Sequence, residues 1–135
     1  MLTIIYQNGK LFMESTERVS MKLCFCNKKI QGIYENYTSL KVKYGQEFAD
    51  GLSRLNQFLE SIEGIDELYD PVGRKYKFHK LKADRNNQWS FVVIRSSRFR
   101  LIVYLLDKER HVITDIFKEK CEYIKIKEIG DYHNG

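Results

Sequence analysis

From Lys28 to Tyr44 the apolar side chains Ile30, Ile33, Tyr34, Tyr37, Leu40 and Tyr44 recur at intervals of three and four, which puts them on one face of a helix. Gly45 supplies a stop. A second helix follows, with Phe48, Leu52, Leu55, Leu59 and Ile62 on one face, Glu47, Asp50 and Glu60 elsewhere on its surface, and an end near Gly64. Joined by so short a turn, the two predict an antiparallel helix pair whose apolar faces need a cover. Ile65 to Tyr69 predicts a helical turn, closed by the turn formers Asp70, Pro71 and Gly73.

After Gly73 the period changes to that of strands. Tyr76, Phe78 and the residues to Ala83 predict one strand, Gln88 to Arg95 a second, Arg98 to Leu106 a third and Cys121 to Ile129 a fourth. A two-residue hairpin at Ser96 and Ser97 sets Arg95 opposite Arg98, Val93 opposite Arg100, Phe91 opposite Ile102 and Trp89 opposite Tyr104, all on one face. The other face, Val92 and Ile94 with Phe99, Leu101, Val103 and Leu105, is uniformly apolar and is expected to rest on the helices. A slip of one residue would exchange the faces.

Asp107 to Lys120 is open between an extra strand through HVITDIF and a short helix that adds FKEK. At the other end, Leu2 to Tyr6 predicts a short strand in an otherwise polar, aperiodic run, and MKLCFC from Met21 a better one. The expected organisation is therefore an extension over residues 1–20 and one domain over residues 21–135. Its class is α+β, two helices packed on an antiparallel sheet of about four to five strands.

Composition narrows the function. In 135 residues, 43% are hydrophobic and 30% charged, with a single proline, which excludes disorder and fibrous repeats. The longest apolar run, Phe99 to Leu106, is far shorter than the ~20 residues that cross a bilayer, and the N-terminus lacks a signal-peptide pattern, so a cytoplasmic protein without a membrane partner is expected. Cys24, Cys26 and Cys121 lack zinc-knuckle or redox-pair spacing and are expected as buried free thiols. His79, His111 and His133 lack metal-ligand spacing, so neither metal nor cofactor is expected, and His111 is expected on a surface loop.

Charge is segregated. Gln46 to Asp70 holds seven acids and one arginine, Arg54, whereas Arg74 to Arg100 holds nine bases and one acid, Asp84. A polyanion on one side of the domain fits this asymmetry. The predicted face that sets Arg95, Arg98 and Arg100 beside aromatic residues suits a phosphate backbone and stackable bases. Trp89, at a strand position, is expected in packing rather than as a base-stacking platform.

Taken together, LKADRNNQWSF, the arginine of RFRLIVY and the terminal DYH resemble the HigB branch of the RelE/ParE toxin superfamily, the toxins of type II toxin–antitoxin pairs. The resemblance runs from about Met21 to His133 and includes GLSRLNQFLESIEGIDELYDPVG. It implies two helices on a curved antiparallel sheet. It also implies a ribosome-dependent mRNA endoribonuclease, acting in the small-subunit decoding site without metal or cofactor, through attack of the RNA's own 2′-hydroxyl on the scissile phosphate. Implied partners are a HigA-like helix-turn-helix antitoxin and, only through it, operator DNA.

By the same resemblance His133 is the candidate general acid or base, with Tyr132 beside it and Asp131 orienting the histidine or taking a proton itself. Arg100 would clamp the phosphate. Lys82 and Arg85 match the LKGDR segment and would bind RNA backbone, with Lys80 and His79 as secondary candidates and Arg95 and Arg98 replacing charges from the hairpin. The chain departs from the pattern at Val92 and Tyr104, where relatives often carry arginine, at Ala83 in place of glycine, and in a longer Asp107–Lys120 segment. These departures leave two alternatives: a non-enzymatic gyrase inhibitor like the ParE branch, and a degenerate toxin that serves only as an antitoxin-binding subunit of a repressor complex.

Overall fold

A computed structural model describes residues 2–7, 10–15, 21–82 and 84–131, with side chains described from Met21 onward. β1 (Leu2–Gln7) and β2 (Lys10–Ser15) pair antiparallel as a sheet of their own. The main sheet holds β3 (Lys22–Phe25), β4 (His79–Lys80), β5 (Gln88–Val92), β6 (Phe99–Leu106) and β7 (Tyr123–Asp131) in the order β3-β7-β6-β5-β4. β3 runs parallel to β7, and the other neighbours are antiparallel. The sheet is thus mixed, where an antiparallel one was expected. A parallel neighbour cannot be reached by a tight turn, and here the whole chain from Cys26 to Glu122 is the connection.

Three helices, not two, cover one face: α1 (Lys28–Tyr34), α2 (Tyr37–Tyr44) and α3 (Gln46–Ser61). The expected continuous helix from Lys28 to Tyr44 is broken at Asn36, whose side chain accepts the Ser39 N–H at 3.1 Å and restarts the chain as an N-cap. Asn27 caps α1 in the same way through the Ile30 N–H, at 2.9 Å. Gly45 then turns the chain at φ +95°, a value that a side chain would strain.

α3 is the main cover of the sheet. Phe48, Leu52, Leu55 and Leu59 are buried along one stripe, each leucine contributing roughly 1.5–3 kcal/mol by its burial. They share a core with Trp89, Phe91, Val93, Leu101, Val103, Leu105, Ile124 and Ile126 from the sheet. Near its middle α3 approaches the connection that follows β5 so closely that a Cβ on Gly51 would clash with Ile94 Cγ2. At its end Ile62 turns to extended backbone, and its carbonyl accepts the Met21 N–H at 3.1 Å, tying the helix to the start of β3. No helix among the described residues is long and apolar enough to cross a membrane.

The expected turn at Ile65–Tyr69 is present as a 3-10 helix, and a second one spans Gly73–Tyr76. That second turn ends on Tyr76, where the expected strand from Tyr76 to Ala83 begins, and among the described residues of that stretch only His79–Lys80 are in the sheet. Asp107 to Lys120 forms neither a strand nor a helix. It holds turns and a single bridge from Val112 to Leu106, with Ile113 buried as its anchor.

The largest correction concerns β5. It pairs Gln88 with Tyr104, Trp89 with Val103, Ser90 with Ile102, Phe91 with Leu101 and Val92 with Arg100, one residue away from the expected register. The reason lies in the connection. Ser97 N–H donates to the Ile94 carbonyl at 3.3 Å, so the turn centres on Arg95–Ser96, not on Ser96–Ser97. β6 keeps its expected faces, but β5 exchanges its own. Trp89, Phe91 and Val93 enter the core, while Gln88, Ser90 and Val92 share the opposite face with Arg100, Ile102 and Tyr104. Trp89 is 5% exposed and stacks on Phe78 with ring centroids 4.8 Å apart, so it is packing, as expected.

Candidate functional site

The face of the sheet opposite the helices is built in rows that follow the strand register. One row sets His79 beside Ser90, Ser90 beside Ile102 and Ile102 beside Glu128. The next sets Gln88 beside Tyr104, Tyr104 beside Lys125 and Lys125 beside Cys24. A third joins Val92, Arg100 and Gly130. A register shift between Ile102 and Val103 skips Lys127 in the pairing. Lys127 Nζ then reaches Gln88 Oε1 at 3.1 Å.

Two polar pairs form on this face. Arg85, from the turn before β5, pairs with Glu128 at 2.7 Å, both side chains being partly exposed. The face therefore carries Arg85, Lys125 and Lys127 with Glu128 and Tyr104. Lys125, Lys127, Glu128 and Gln88 were not singled out from the sequence. Their signal was present in IKIKE, where Ile124 and Ile126 point to the core and the intervening lysines point away.

His79 closes the row at β4. Its Nδ1 lies 2.8 Å from the Lys77 carbonyl, which can only accept, so Nδ1 donates in this contact. Nε2 is buried and has no partner, and neither has Ser90 Oγ beside it. The carbonyl is aimed by Lys77 itself, a non-glycine residue in the left-handed region at φ 43°.

The other expected site residues are dispersed. Arg100 turns its guanidinium back onto the hairpin, donating to the Ser97 carbonyl and to the Phe99 carbonyl, the latter at 3.1 Å. Arg98 pairs with Asp131 at 3.1 Å and lies over the Phe99 ring. Asp131 thereby meets Arg98 at the end of β7. Lys80 sits on the core side of β4, 6.0 Å above the Trp89 ring, and donates to the Thr114 carbonyl at 3.2 Å. It stands at the rim of a cavity of about 870 Å³ between the Ile65–Tyr69 turn and the 114–121 segment, lined in part by Trp89, Phe117 and Cys121. Lys82 and Arg95 are exposed. The expected grouping of Arg95, Arg98 and Arg100 beside Trp89 on one face is not formed, because the register that required it is not the one adopted. Tyr132, His133 and Ala83 lie outside the described residues.

The cysteines are free. Cys121 is buried, which pushes its thiol up to about 12, and Cys24 is raised by burial against the opposing pull of Arg110 and Lys125. Cys26 is exposed and Cys24 half-buried, so only Cys121 fits the expected buried thiol. His111 is exposed, as expected, and its turn brings ligand atoms of Asp107, Glu109 and His111 within 4.8 Å of one another. The Asp107 carboxylate already accepts the N–H groups of Glu109 and His111.

No protein-family profile matches this chain, and no curated protein matches it in sequence.

Proposed function

We propose that the chain is the toxin of a type II toxin–antitoxin pair, of the HigB branch of the RelE/ParE superfamily, and cuts messenger RNA on the ribosome. The observation that carries this reading is the cationic sheet face, where Arg85, Lys125 and Lys127 lie on the side of the sheet opposite the helices. Cleavage by the RNA's 2′-hydroxyl requires a proton acceptor at that oxygen, cations around the developing phosphorane charge and a proton donor at the leaving 5′-oxygen. In this reading Asp131, exposed at the end of β7, takes the 2′-hydroxyl proton. Lys125 and Lys127 neutralise charge on the phosphate, and His133, two residues beyond Asp131, protonates the 5′-oxygen with Tyr132 beside it. The scissile P–O5′ bond breaks as the P–O2′ bond forms, leaving a cyclic phosphate, so no metal or cofactor enters the balance. The partners are an adjacent-gene antitoxin and mRNA in the decoding site.

The test is a purified translation system. Message is cut with the wild-type protein, while Asp131→Asn and His133→Ala each lower the cutting rate by about 10²–10⁴-fold, as expected for loss of an acid–base group. Uncut message in the wild-type reaction sinks the proposal.

One observation favours a second reading. Arg100, the residue expected to clamp the phosphate, is committed to backbone carbonyls of its own hairpin. A degenerate toxin that only binds its antitoxin accounts for that, and predicts antitoxin binding without growth arrest on overexpression.

A further inference from the structure

Between α3 and the β5–β6 hairpin, away from the face described above, lies a groove of about 380 Å³ whose lining includes Arg54, Lys75, Lys77 and Arg95. Three separate parts of the chain deliver these cations. Arg54 stands three residues, nearly one turn of α3, from Gly51, itself in the groove wall. Lys75 and Lys77 come from the Gly73–Tyr76 turn and its left-handed cap, and Arg95 comes from the hairpin. All four are exposed, and no acidic side chain lines the groove among the described residues. Lys75 lies 5.1 Å over the Tyr76 ring, but four like charges round one concavity still repel one another, and an anion entering it relieves that repulsion.

The floor adds a second feature. β4 pairs with β5 only at Ser90 and Trp89, so past Ser90 the outer edge of β5 has no strand beside it, and Val92, Val93 and Ile94 line the groove there. Tyr76, the aromatic residue in the lining, is 4% exposed and offers no open ring on which a base could stack. The site therefore suits phosphates rather than bases.

We infer that this groove binds the sugar–phosphate backbone of RNA, without reading its sequence, at a place separate from the cleavage face. Only the choice of RNA as the polyanion rests on the function proposed above. Its role is to hold the nucleic acid while the opposite face does the chemistry, and its energy comes from counterion release, so it weakens steeply with salt.

The experiment measures binding of a fluorescein-labelled single-stranded oligoribonucleotide of mixed sequence by anisotropy, across a salt series, with the full chain. For single strands the slope of log affinity against log salt changes by about 0.7 per phosphate contact. Arg54→Ala/Arg95→Ala should make the slope shallower by about 1.4, whereas Arg54→Lys/Arg95→Lys should keep it. All four side chains are solvated, so these variants fold. An unchanged slope in the alanine variant overturns the inference. So does displacement of the RNA by poly-L-glutamate at equal charge concentration, which would make the groove a site for an acidic peptide. Message cleavage by the wild-type protein together with an unchanged slope leaves the nuclease standing and removes the groove. The reverse pair of results removes the nuclease and leaves the groove.

Discussion

The basic residues of this protein fall into two sets with opposite fates. Arg85, Arg98 and Arg100 are tied down: one to Glu128, one to Asp131, one to the carbonyls of its own hairpin. Arg54, Lys75, Lys77 and Arg95 surround a groove with no acid among its described lining residues. A cation with a partner inside the molecule has its charge spent on the fold, and moving it to a ligand costs the bond it leaves. A cation without one is available at no such cost. Sequence position does not separate the sets, since Arg95, Arg98 and Arg100 fall within six residues and end on different sides of the distinction.

The largest effect expected from disturbing this division is at Gly51, which lets α3 and Ile94 meet and so shapes the groove. Gly51→Val should cost about 1–3 kcal/mol, the usual penalty for overpacking, read as a lower urea midpoint. A neutral result would show that the helix and hairpin are not in firm contact. Next in size is Arg100→Ala. Loss of two hydrogen bonds from a half-buried guanidinium should cost about 1–2 kcal/mol. If stability is unchanged while RNA cleavage collapses, Arg100 belongs with the ligand and not with the fold. The smallest change belongs to Arg54→Gln/Arg95→Gln, which should stay within about 0.5 kcal/mol and tend towards stabilisation. Because relief of repulsion is screened, that gain should shrink between low and physiological salt in thermal melts. A marked loss of stability would mean that these arginines are held after all.

Much of the fold follows from patterns that one element can express alone. α3 shows its three-and-four repeat between Gly45 and Gly64, and β6 has a uniformly apolar side, so both faces were legible. The break at Asn36 was legible in principle, because an asparagine followed three residues later by a serine N–H is a capping arrangement, but the apolar repeat runs straight through it. β5 is different. Its residues from Trp89 to Ile94 include Phe91, Val92, Val93 and Ile94 in succession, so either side can serve as core, and the decision passes to the turn. Val92 pairs with Arg100 across residues 93–99, an odd number where the expected two-residue hairpin leaves an even one, and that parity carried Trp89 and Phe91 inward and undid the expected arginine cluster.

The candidate site was legible in its strands but not in its partners. Lys125 and Lys127 alternate with buried isoleucines and could have been assigned to the outer face from the sequence. The tautomer of His79 could not, since it depends on the Lys77 carbonyl and hence on a left-handed backbone at a residue other than glycine. Nor could the groove, whose walls come from a helix, a turn and a hairpin distant in the chain.

β7 lies between β3 and β6, so the strand made last of the five occupies an inner position in the sheet. During synthesis the helices and four strands are complete before the piece that joins β3 to the rest exists. Loop closure of that length is slow, and the chain must wait for it with its apolar faces uncovered. The newborn polypeptide accordingly gains the outer face of its sheet, with Lys125, Lys127 and Glu128, only after β7 has emerged from the ribosome.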